Sequence, residues 1–354
     1  MVNILFTASN SLRSYGGGEK WAIKVMNSLV ERGHVVTAKY LSYLPGGIER
    51  LPEKDLTPKL KFSYYEYPFK RGKFSPLHMA QKMEYSGYDV IYTYTTFYLF
   101  LKQLLSWSEN SGAKRVFGLH NPVISRGTNL NFLERKTVKL IPRFETIHLL
   151  DESQISLFSD YKEKIRVLSN SYIGELPTIK NLNKVGPFTI LFIGRHETEK
   201  GFDMLKEVAS KIPDRMKLVI LGSGSRSGEL KEIERPNVII EGFVSEERMN
   251  ELMRNSQVLF FPSISEASSA VPMEALAFGL PVIYRNIPSN RILKSATGCK
   301  IAETPEKVLE SMLELERVFA ESPDNYLEMK IRLQTLSKMN GDYVENFLSK
   351  VLLA

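Results

Sequence analysis

Short apolar segments alternate with amphipathic segments along most of this chain. The apolar segments are rich in Val, Ile, Leu and Phe, which is typical of strands buried on both faces of a parallel sheet. We predict strands at 2–6, 35–41, 89–94, 115–119, 144–150, 165–168, 188–193, 216–221, 237–241, 257–261 and 281–284. Apolar residues at helical spacing predict helices at 20–31, 202–211, 229–234, 246–254, 269–278 and 289–293, and through the last fifty residues. This alternation predicts an α/β protein.

Two regions interrupt the alternation. Residues 44–76 combine prolines, glycines, basic residues and aromatic residues without a clear period. Residues 170–187 also lack a period and contain Pro177, Gly186 and Pro187, which are turn or linker residues. We therefore place a domain boundary there, with a first domain at 1–175 and a second at 176–341. Strands and helices alternate on both sides of the boundary, which predicts two doubly wound parallel sheets.

The composition adds limits on the class of protein. The 354 residues suffice for two domains, and the hydrophobic fraction of 43% is that of an ordinary globular protein. Cys299 is the only cysteine, which excludes a disulfide framework and a multi-cysteine metal site. The start of the chain lacks a basic leader, and no stretch approaches the roughly 20 apolar residues of a membrane span. We expect a cytoplasmic protein, in peripheral contact with a membrane surface at most.

The charge favours anionic partners. The net charge is +7 and the sequence pI is about 9.1, which fits nucleic acid, anionic lipid or a phosphorylated small molecule. The cations are spread along the chain, and no zinc-finger, helix-turn-helix or RNA-recognition signature is present. We therefore expect no nucleic-acid partner.

The segment between the predicted strands at 257–261 and 281–284 contains two candidate ligand-binding carboxylates. Ser268 and Ser269 favour the start of a helix, and Pro272 suits its first turn. Glu266 is then expected in the loop before the helix and Glu274 in its first turn. A helix N-terminus attracts anions through its free N–H groups and its dipole. An anion site with two carboxylate acceptors suits a ligand with phosphates and hydroxyls, such as a sugar nucleotide.

A second candidate follows the predicted strand at 188–193. Arg195 and Lys200 are five residues apart on the loop that leads into the next helix, at the sheet edge where ligands bind in open parallel sheets. Two such cations can converge on a diphosphate. The alternative is a pair of solvated surface cations.

Two glycine-containing segments and a histidine are weaker candidates. Gly222 and Gly224, with Glu241 further on, are similar to a dinucleotide fingerprint, but the third glycine is one place late, so a tight turn is the favoured interpretation. The glycines at 16–18 lie too far after the first strand for a pyrophosphate turn, and we expect an open, mobile loop there, with a flexible lead-in to the next helix as the alternative. His120 ends a predicted strand and can donate a hydrogen bond or a proton to a sugar, or be purely structural.

Together these segments resemble the retaining glycosyltransferases of the large family that includes bacterial sugar-lipid and polysaccharide glycosyltransferases. The family hallmark, a Glu followed by seven residues and a second Glu, is matched by Glu266 and Glu274. The second half also matches at Gly194-Arg195, Lys200-Gly201, 218–224, Asn237-Val238, 241–244 and 279–282. The first half matches only at Gly16-Gly17, Glu19, 33–35 and His120.

The resemblance implies a fold and an activity. The fold is the glycosyltransferase-B fold, with two Rossmann-like doubly wound domains facing each other across a cleft and a final helix at 342–354 packed back on the first domain. The activity is retaining, metal-independent transfer of a hexose-type sugar from a UDP- or GDP-linked donor to a glycan, lipid or small-molecule acceptor. No cofactor is expected.

The resemblance also implies roles for individual residues. Arg195 and Lys200 would hold the diphosphate as a leaving group, Glu274 the ribose and Glu266 the donor sugar. The other donor contacts would come from Gly16, Gly17, Phe243, Val244, Ser268, Ser269 and Ala270. His120 would contact the donor sugar, which makes His120, Glu266, Arg195 and Lys200 the catalytic candidates.

The chain departs from the family pattern at two places. The family often has Glu-Gly-Phe-Gly where this chain has Glu266-Ala267-Ser268-Ser269, which puts the sugar in doubt, and Asn170-Ser171 replaces an Asn-Gly. A nucleotide-sugar epimerase, a non-catalytic nucleotide-sugar-binding protein and an NAD oxidoreductase are the alternatives. The basic, aromatic residues 59–74 are hypothesised to face the acceptor or a membrane, and a solvated loop is the alternative.

Overall fold

The computed structural model describes residues 1–9, 17–41, 55–65, 84–120, 130–182, 186–338 and 341–354. The chain forms two compact units, Met1–Ile173 with Asp342–Ala354, and Gly174–Gly341. We call them unit 1 and unit 2. The predicted boundary, between residues 175 and 176, lies two residues after the end of the first segment of unit 1.

Unit 1 contains a parallel sheet of seven strands in the order β3-β2-β1-β4-β5-β6-β7. The strands are β1 (Asn3–Ala8), β2 (Val35–Leu41), β3 (Lys61–Tyr65), β4 (Val90–Thr93), β5 (Lys114–Leu119), β6 (Thr146–Leu149) and β7 (Ile165–Val167). Six of them match the predicted strands, whereas β3 falls in the region 44–76 that gave no clear pattern. As the edge strand, β3 exposes Lys61 and Ser63, so it lacks the continuous apolar run of the central strands.

Unit 2 contains a parallel sheet of six strands in the order β10-β9-β8-β11-β12-β13. The strands are β8 (Phe188–Ile193), β9 (Met216–Leu221), β10 (Val238–Gly242), β11 (Val258–Phe261), β12 (Val282–Tyr284) and β13 (Lys300–Ile301). The chain runs outward from β8 to one edge and then returns to β11 on the other side of β8. The carboxyl ends of β8 and β11 therefore form the topological switch point, where ligands bind in open parallel sheets.

The helices follow the predicted alternation with some changes. The α-helices are α1 (Gly17–Glu31), α2 (Tyr98–Trp107), α3 (Phe132–Leu140), α4 (Phe202–Lys211), α5 (Glu246–Asn255), α6 (Ala270–Ala277), α7 (Pro305–Glu321), α8 (Pro323–Lys338) and α9 (Tyr343–Phe347). The predicted helices at 229–234 and 289–293 are 3-10 helices, Ser227–Ile233 and Pro288–Ser295. Because α1 begins at Gly17, the open loop predicted for residues 16–18 is wrong for Gly17 and Gly18, and Gly16 lies outside the described residues.

Apolar side chains cover both faces of the sheet of unit 1. One core combines α1 with the carboxyl-terminal segment and includes Trp21, Leu29, Phe347 and Leu352. The core on the other face combines α2 with β5 and includes Phe117. The described part of the chain contains no helix long and apolar enough to cross a membrane.

Candidate functional site

The switch point of unit 2 brings together the two loops that the sequence selected. The loop after β8 contains Lys200, and the loop after β11 contains Glu266. The Lys200 ammonium donates to Oε1 of Glu266 at 2.6 Å. Only 19% of the lysine side chain and 8% of the glutamate side chain are exposed, so water screens this ion pair little.

A glycine allows these two loops to approach closely. Gly201 follows Lys200 and adopts a φ of +73°, in the left-handed region that favours glycine. A Cβ atom there would lie 2.2 Å from the carbonyl oxygen of Pro262. The loops are also joined by the N–H of Ile264, which donates to the carbonyl of Glu199 at 3.0 Å. Gly201 and this hydrogen bond therefore position Lys200 against Glu266.

Arg195 lies on the same loop as Lys200 but has a different partner. Its guanidinium donates to Oε1 of Glu199 at 2.7 Å, and 62% of its side chain is exposed. This exposed ion pair fits the alternative interpretation, in which Arg195 is a solvated surface cation. An exposed pair of this kind contributes little to stability, so the guanidinium can exchange its partner at low cost.

Helix α6 starts directly after the loop that contains Glu266. Ser269 is the N-cap residue, and among the described residues its side chain makes no capping hydrogen bond. Ser268 precedes it and Ala270 is the first helical residue. Glu274 is the fifth residue of α6, one position beyond the first turn of 3.6 residues, so the prediction of Glu274 in the first turn is wrong. Glu274 is 7% exposed.

The glycine segment after β9 packs against the loop after β8. A Cβ atom on Gly222 would lie 2.0 Å from the carbonyl oxygen of Gly194, and one on Gly224 would lie 2.6 Å from that of His196. A 3-10 helix follows instead of an α-helix, and Arg248 binds both carboxylate oxygens of Glu241 at 2.6 and 2.9 Å. These glycines serve loop packing, which favours the tight turn over the dinucleotide fingerprint.

The two residues assigned to the base follow β10. Phe243 is 49% exposed and Val244 is partly buried. They come after Gly242, whose φ of +64° turns the chain as it leaves the strand. An exposed aromatic ring beside such a turn offers a flat apolar surface on which a base can stack.

His120 lies in unit 1 directly after β5, at the carboxyl end of the sheet as predicted. Its Nε2 is 3.0 Å from the hydroxyl of Tyr92, and this hydroxyl is 2.9 Å from Nδ1 of His148. Burial and the neighbouring His148 hold the pKa of His120 well below its usual value. The ring of Trp21 packs against His120, with 4.5 Å between the ring centroids.

Sequence reasoning missed Tyr92, His148 and the structural role of His196. Tyr92 and His148 were predicted only as members of apolar strands. The sequence did contain one signal, because His120 and His148 both lie near the ends of predicted strands and could therefore meet. His196 is 1% exposed, stacks on Phe202, and has its Nδ1 2.8 Å from the hydroxyl of Ser227. Burial lowers its pKa, so it is a neutral packing residue of the loop after β8.

Residues 187–317 match the family model described as "Glycosyl transferases group 1". An uncharacterized 41.2 kDa protein in the cps region of Klebsiella pneumoniae is 34% identical over 43% of this chain and 45% of its own length. An uncharacterized glycosyltransferase of Haemophilus influenzae is 25% identical over 60% of this chain and 64% of its own length. The chain therefore matches less than two thirds of the length of each of these relatives.

The crystal structure of Anabaena HepE in complex with UDP-glucose is similar over nearly the whole chain. Its TM-score is 0.75 at 16% identity, covering 99% of this chain and 100% of HepE. This likeness concerns the fold, and it agrees with the two parallel sheets described above. The expected fold class is confirmed, since the chain has the glycosyltransferase-B fold, and the expected resemblance is confirmed for residues 187–317, which match the model of the group 1 glycosyltransferases.

Proposed function

We propose that this protein is a glycosyltransferase that moves a hexose-type sugar from a nucleotide-diphosphate sugar to a glycan, lipid-linked or small-molecule acceptor. The contact between Lys200 and Glu266 at the switch point carries this proposal. It places a cation and a carboxylate beside the start of α6, whose free N–H groups favour an anion. This combination suits a ligand that carries both phosphates and hydroxyls.

The chemistry of the leaving group explains the two cations. Departure of a nucleoside diphosphate develops negative charge, which Lys200, Arg195 and the N-terminus of α6 would stabilise. A lysine ammonium has three donors, so Lys200 can keep its bond to Glu266 while it contacts a phosphate. In this scheme Glu274 accepts from the ribose and Glu266 from the donor sugar. We propose a metal-independent reaction with retention through same-face substitution.

UDP is our first choice of donor nucleotide and GDP the second. The HepE structure contains UDP-glucose, which supports UDP for a chain of the same fold. A thermal-shift panel of UDP-, GDP- and ADP-sugars tests this, because a ligand that binds the folded state raises the melting temperature. We expect the largest shift with a UDP-sugar and none with NAD. A shift with NAD alone would contradict the proposal.

Removing the central cation tests the site itself. Lys200→Ala is expected to lower turnover by about 100-fold or more, as losses of one stabilising donor at a transition state do. Lys206→Ala is the matched control, because Lys206 pairs with Glu229 and Glu232 on the surface of unit 2. Unchanged turnover in Lys200→Ala would refute the assignment. Turnover without any acceptor would instead indicate an epimerase, and nucleotide-sugar binding without turnover would indicate a binding protein.

The surface hypothesised to face the acceptor or a membrane, residues 59–74, is described only in part. Residues 59–65 are described, and residues 66–74 lie outside the described part. Phe62 and Tyr64 pack against the core of unit 1, whereas Lys59, Lys61 and Ser63 are exposed. Lys59 and Lys61 therefore present cations at this edge of the sheet, while Phe62 and Tyr64 are directed to the core.

Helix α3 offers a better surface for peripheral membrane contact. Phe132 and Leu133 are 68% and 52% exposed, and Lys136, Lys139 and Arg143 follow on exposed positions. The carboxylate of Glu134 is engaged in the capping box of the helix. Exposed apolar residues beside cations suit an anionic lipid surface. We include this surface in the proposal as the site of contact with lipid.

Vesicle binding tests the lipid contact. The double variant Phe132→Ser with Leu133→Ser should sediment less with phosphatidylglycerol vesicles, whereas Ile331→Ser, at a 45% exposed position of α8, should behave like the unchanged protein. Neutral phosphatidylcholine vesicles should bind neither variant. Equal binding of both variants to the anionic vesicles would refute the assignment of this surface.

A further inference from the structure

We propose that Tyr92 and His148 are positioning residues that hold His120 in one tautomer, so that its Nδ1 accepts a hydrogen bond from a hydroxyl of a sugar substrate. The inference rests on the proposed function, a transferase of sugars, and on the expectation from the sequence that His120 contacts a sugar. It goes further, because it assigns the acceptor role to Nδ1 of His120 and attributes that role to Tyr92 and His148.

The direction of each hydrogen bond follows from one backbone carbonyl. Nε2 of His148 lies 2.9 Å from the carbonyl oxygen of Leu168, and a carbonyl only accepts, so this nitrogen carries a proton. Nδ1 of the neutral His148 ring is then an acceptor, and the hydroxyl of Tyr92 donates to it at 2.9 Å. Tyr92 has no second proton to give. Its oxygen therefore accepts from Nε2–H of His120 at 3.0 Å.

The protonation states of the three groups agree with this order. Burial lowers the pKa of His148 to about 4, so its ring is neutral near pH 7. Burial also raises the pKa of Tyr92 well above its usual value, which keeps its hydroxyl protonated. The reverse order would need a doubly protonated His148, which burial opposes.

Packing restricts the hydroxyl of Tyr92 to its position between the two histidines. Tyr92 is fully buried, and its side chain passes over Gly118 in the neighbouring strand β5. A Cβ atom at Gly118 would lie 2.0 Å from the hydroxyl oxygen of Tyr92. Glycine at this position therefore provides the space that the hydroxyl occupies between the two histidines.

The consequence for His120 is specific. With Nε2–H committed to Tyr92, the remaining Nδ1 carries a lone pair, and in the described part of the chain it makes no hydrogen bond. The sequence left open whether His120 donates a hydrogen bond or a proton. At neutral pH the proton on Nε2 of His120 is bonded to Tyr92, so His120 donates neither a hydrogen bond nor a proton to the sugar. It acts instead as an acceptor that orients a sugar hydroxyl.

Nuclear magnetic resonance of the protein labelled with ¹⁵N-histidine tests the tautomer without any substrate. The chain contains five histidines, so the His120 signals can be assigned by substitution. We expect a protonated Nε2 and an unprotonated Nδ1 at pH 7. In Tyr92→Phe and in His148→Leu we expect signals averaged between two tautomers. A protonated Nδ1 in the unchanged protein, or an unaltered tautomer in both variants, would overturn the proposal.

Turnover separates this inference from the proposed function. Tyr92→Phe should lower kcat by roughly 3- to 10-fold, the effect of one hydrogen bond, with UDP binding unchanged. Tyr40→Phe is the matched control, because Tyr40 is a buried tyrosine of the same sheet whose ring packs against Tyr94 and, among the described residues, not against His120. The kcat of this variant should not change. The expected tautomer together with normal turnover in His120→Ala would overturn the role of His120 in binding a sugar, while a normal thermal shift with UDP would leave the proposed donor site of unit 2 intact.

Discussion

The buried side chain of His148 makes the stability of unit 1 depend on pH. Burial lowers its pKa to about 4 in the folded protein, against about 6.5 when it is solvated in the unfolded chain. Between these values the unfolded state binds more protons, so stability falls as the pH drops from about 6.5 to about 4. The loss from this residue amounts to about 3 kcal/mol at most, and the lowered pKa of His120 acts in the same direction.

Urea unfolding at several pH values measures this effect. His148→Leu should be less stable than the unchanged protein at pH 7, because the hydroxyl of Tyr92 loses its acceptor. Its further loss between pH 6.5 and pH 4 should be about 3 kcal/mol smaller. An identical pH dependence in the two proteins would show that His148 is not the titrating group.

Single residues were predictable where a motif fixes the chemistry. Lys200 and Glu266 were selected from the loops that follow two apolar strands, and the fold brings their side chains into contact. The partners of His120 were not predictable in the same way. Tyr92 and His148 look like ordinary members of buried strands, and their contact depends on the register between β4, β5 and β6.

Gly201 shows at the element scale why the loop after β8 needs a glycine. Gly201→Ala would combine a left-handed backbone with a Cβ atom 2.2 Å from the carbonyl oxygen of Pro262. We expect a loss of about 2–4 kcal/mol in the stability of unit 2, and a displaced Lys200 with weaker UDP binding. Differential scanning calorimetry and the thermal shift with UDP measure the two effects.

Gly186→Ala is the control for this prediction. Gly186 also has a positive φ, +91°, but among the described residues no atom lies within 4 Å of its Cβ position. It should lose only about 1 kcal/mol, the strain of a left-handed alanine, and keep its affinity for UDP. Equal losses in both variants would mean that backbone conformation alone, and not contact with Pro262, demands the glycine at 201.

Most elements of the sheets were predictable because a strand buried on both faces is a continuous apolar run. The exceptions have physical causes. Strand β3 lies at an edge and alternates exposed with partly buried residues, so it has no such run. Helix α1 extends back to Gly17, although glycine has a low helix propensity, because Trp21 and its apolar neighbours hold the helix on the core. Strand β13 is only two residues long.

At the scale of the whole molecule, the chain leaves unit 1 after Ile173 and returns to it at Asp342. The returning segment supplies Tyr343, Phe347, Val351 and Leu352 to the core beside α1. Nε1 of Trp21 donates to the hydroxyl of Tyr343 at 2.9 Å, and Arg32 pairs with Asp342. Unit 1 therefore depends on residues from both ends of the sequence, whereas unit 2 is continuous.

This arrangement predicts that a substitution near the carboxyl end weakens unit 1 selectively. Phe347 is fully buried and lies edge-on against Trp21, with 5.5 Å between the ring centroids. Phe347→Ala should destabilise unit 1 by about 3–5 kcal/mol, whereas Leu353→Ala, at a 49% exposed position, should stay within about 0.5 kcal/mol. Both tryptophans, Trp21 and Trp107, lie in unit 1, so tryptophan fluorescence follows its unfolding alone. Calorimetry should show the transition of unit 2 at an unchanged temperature in Phe347→Ala. A common shift of both transitions would instead mean that the two units unfold together.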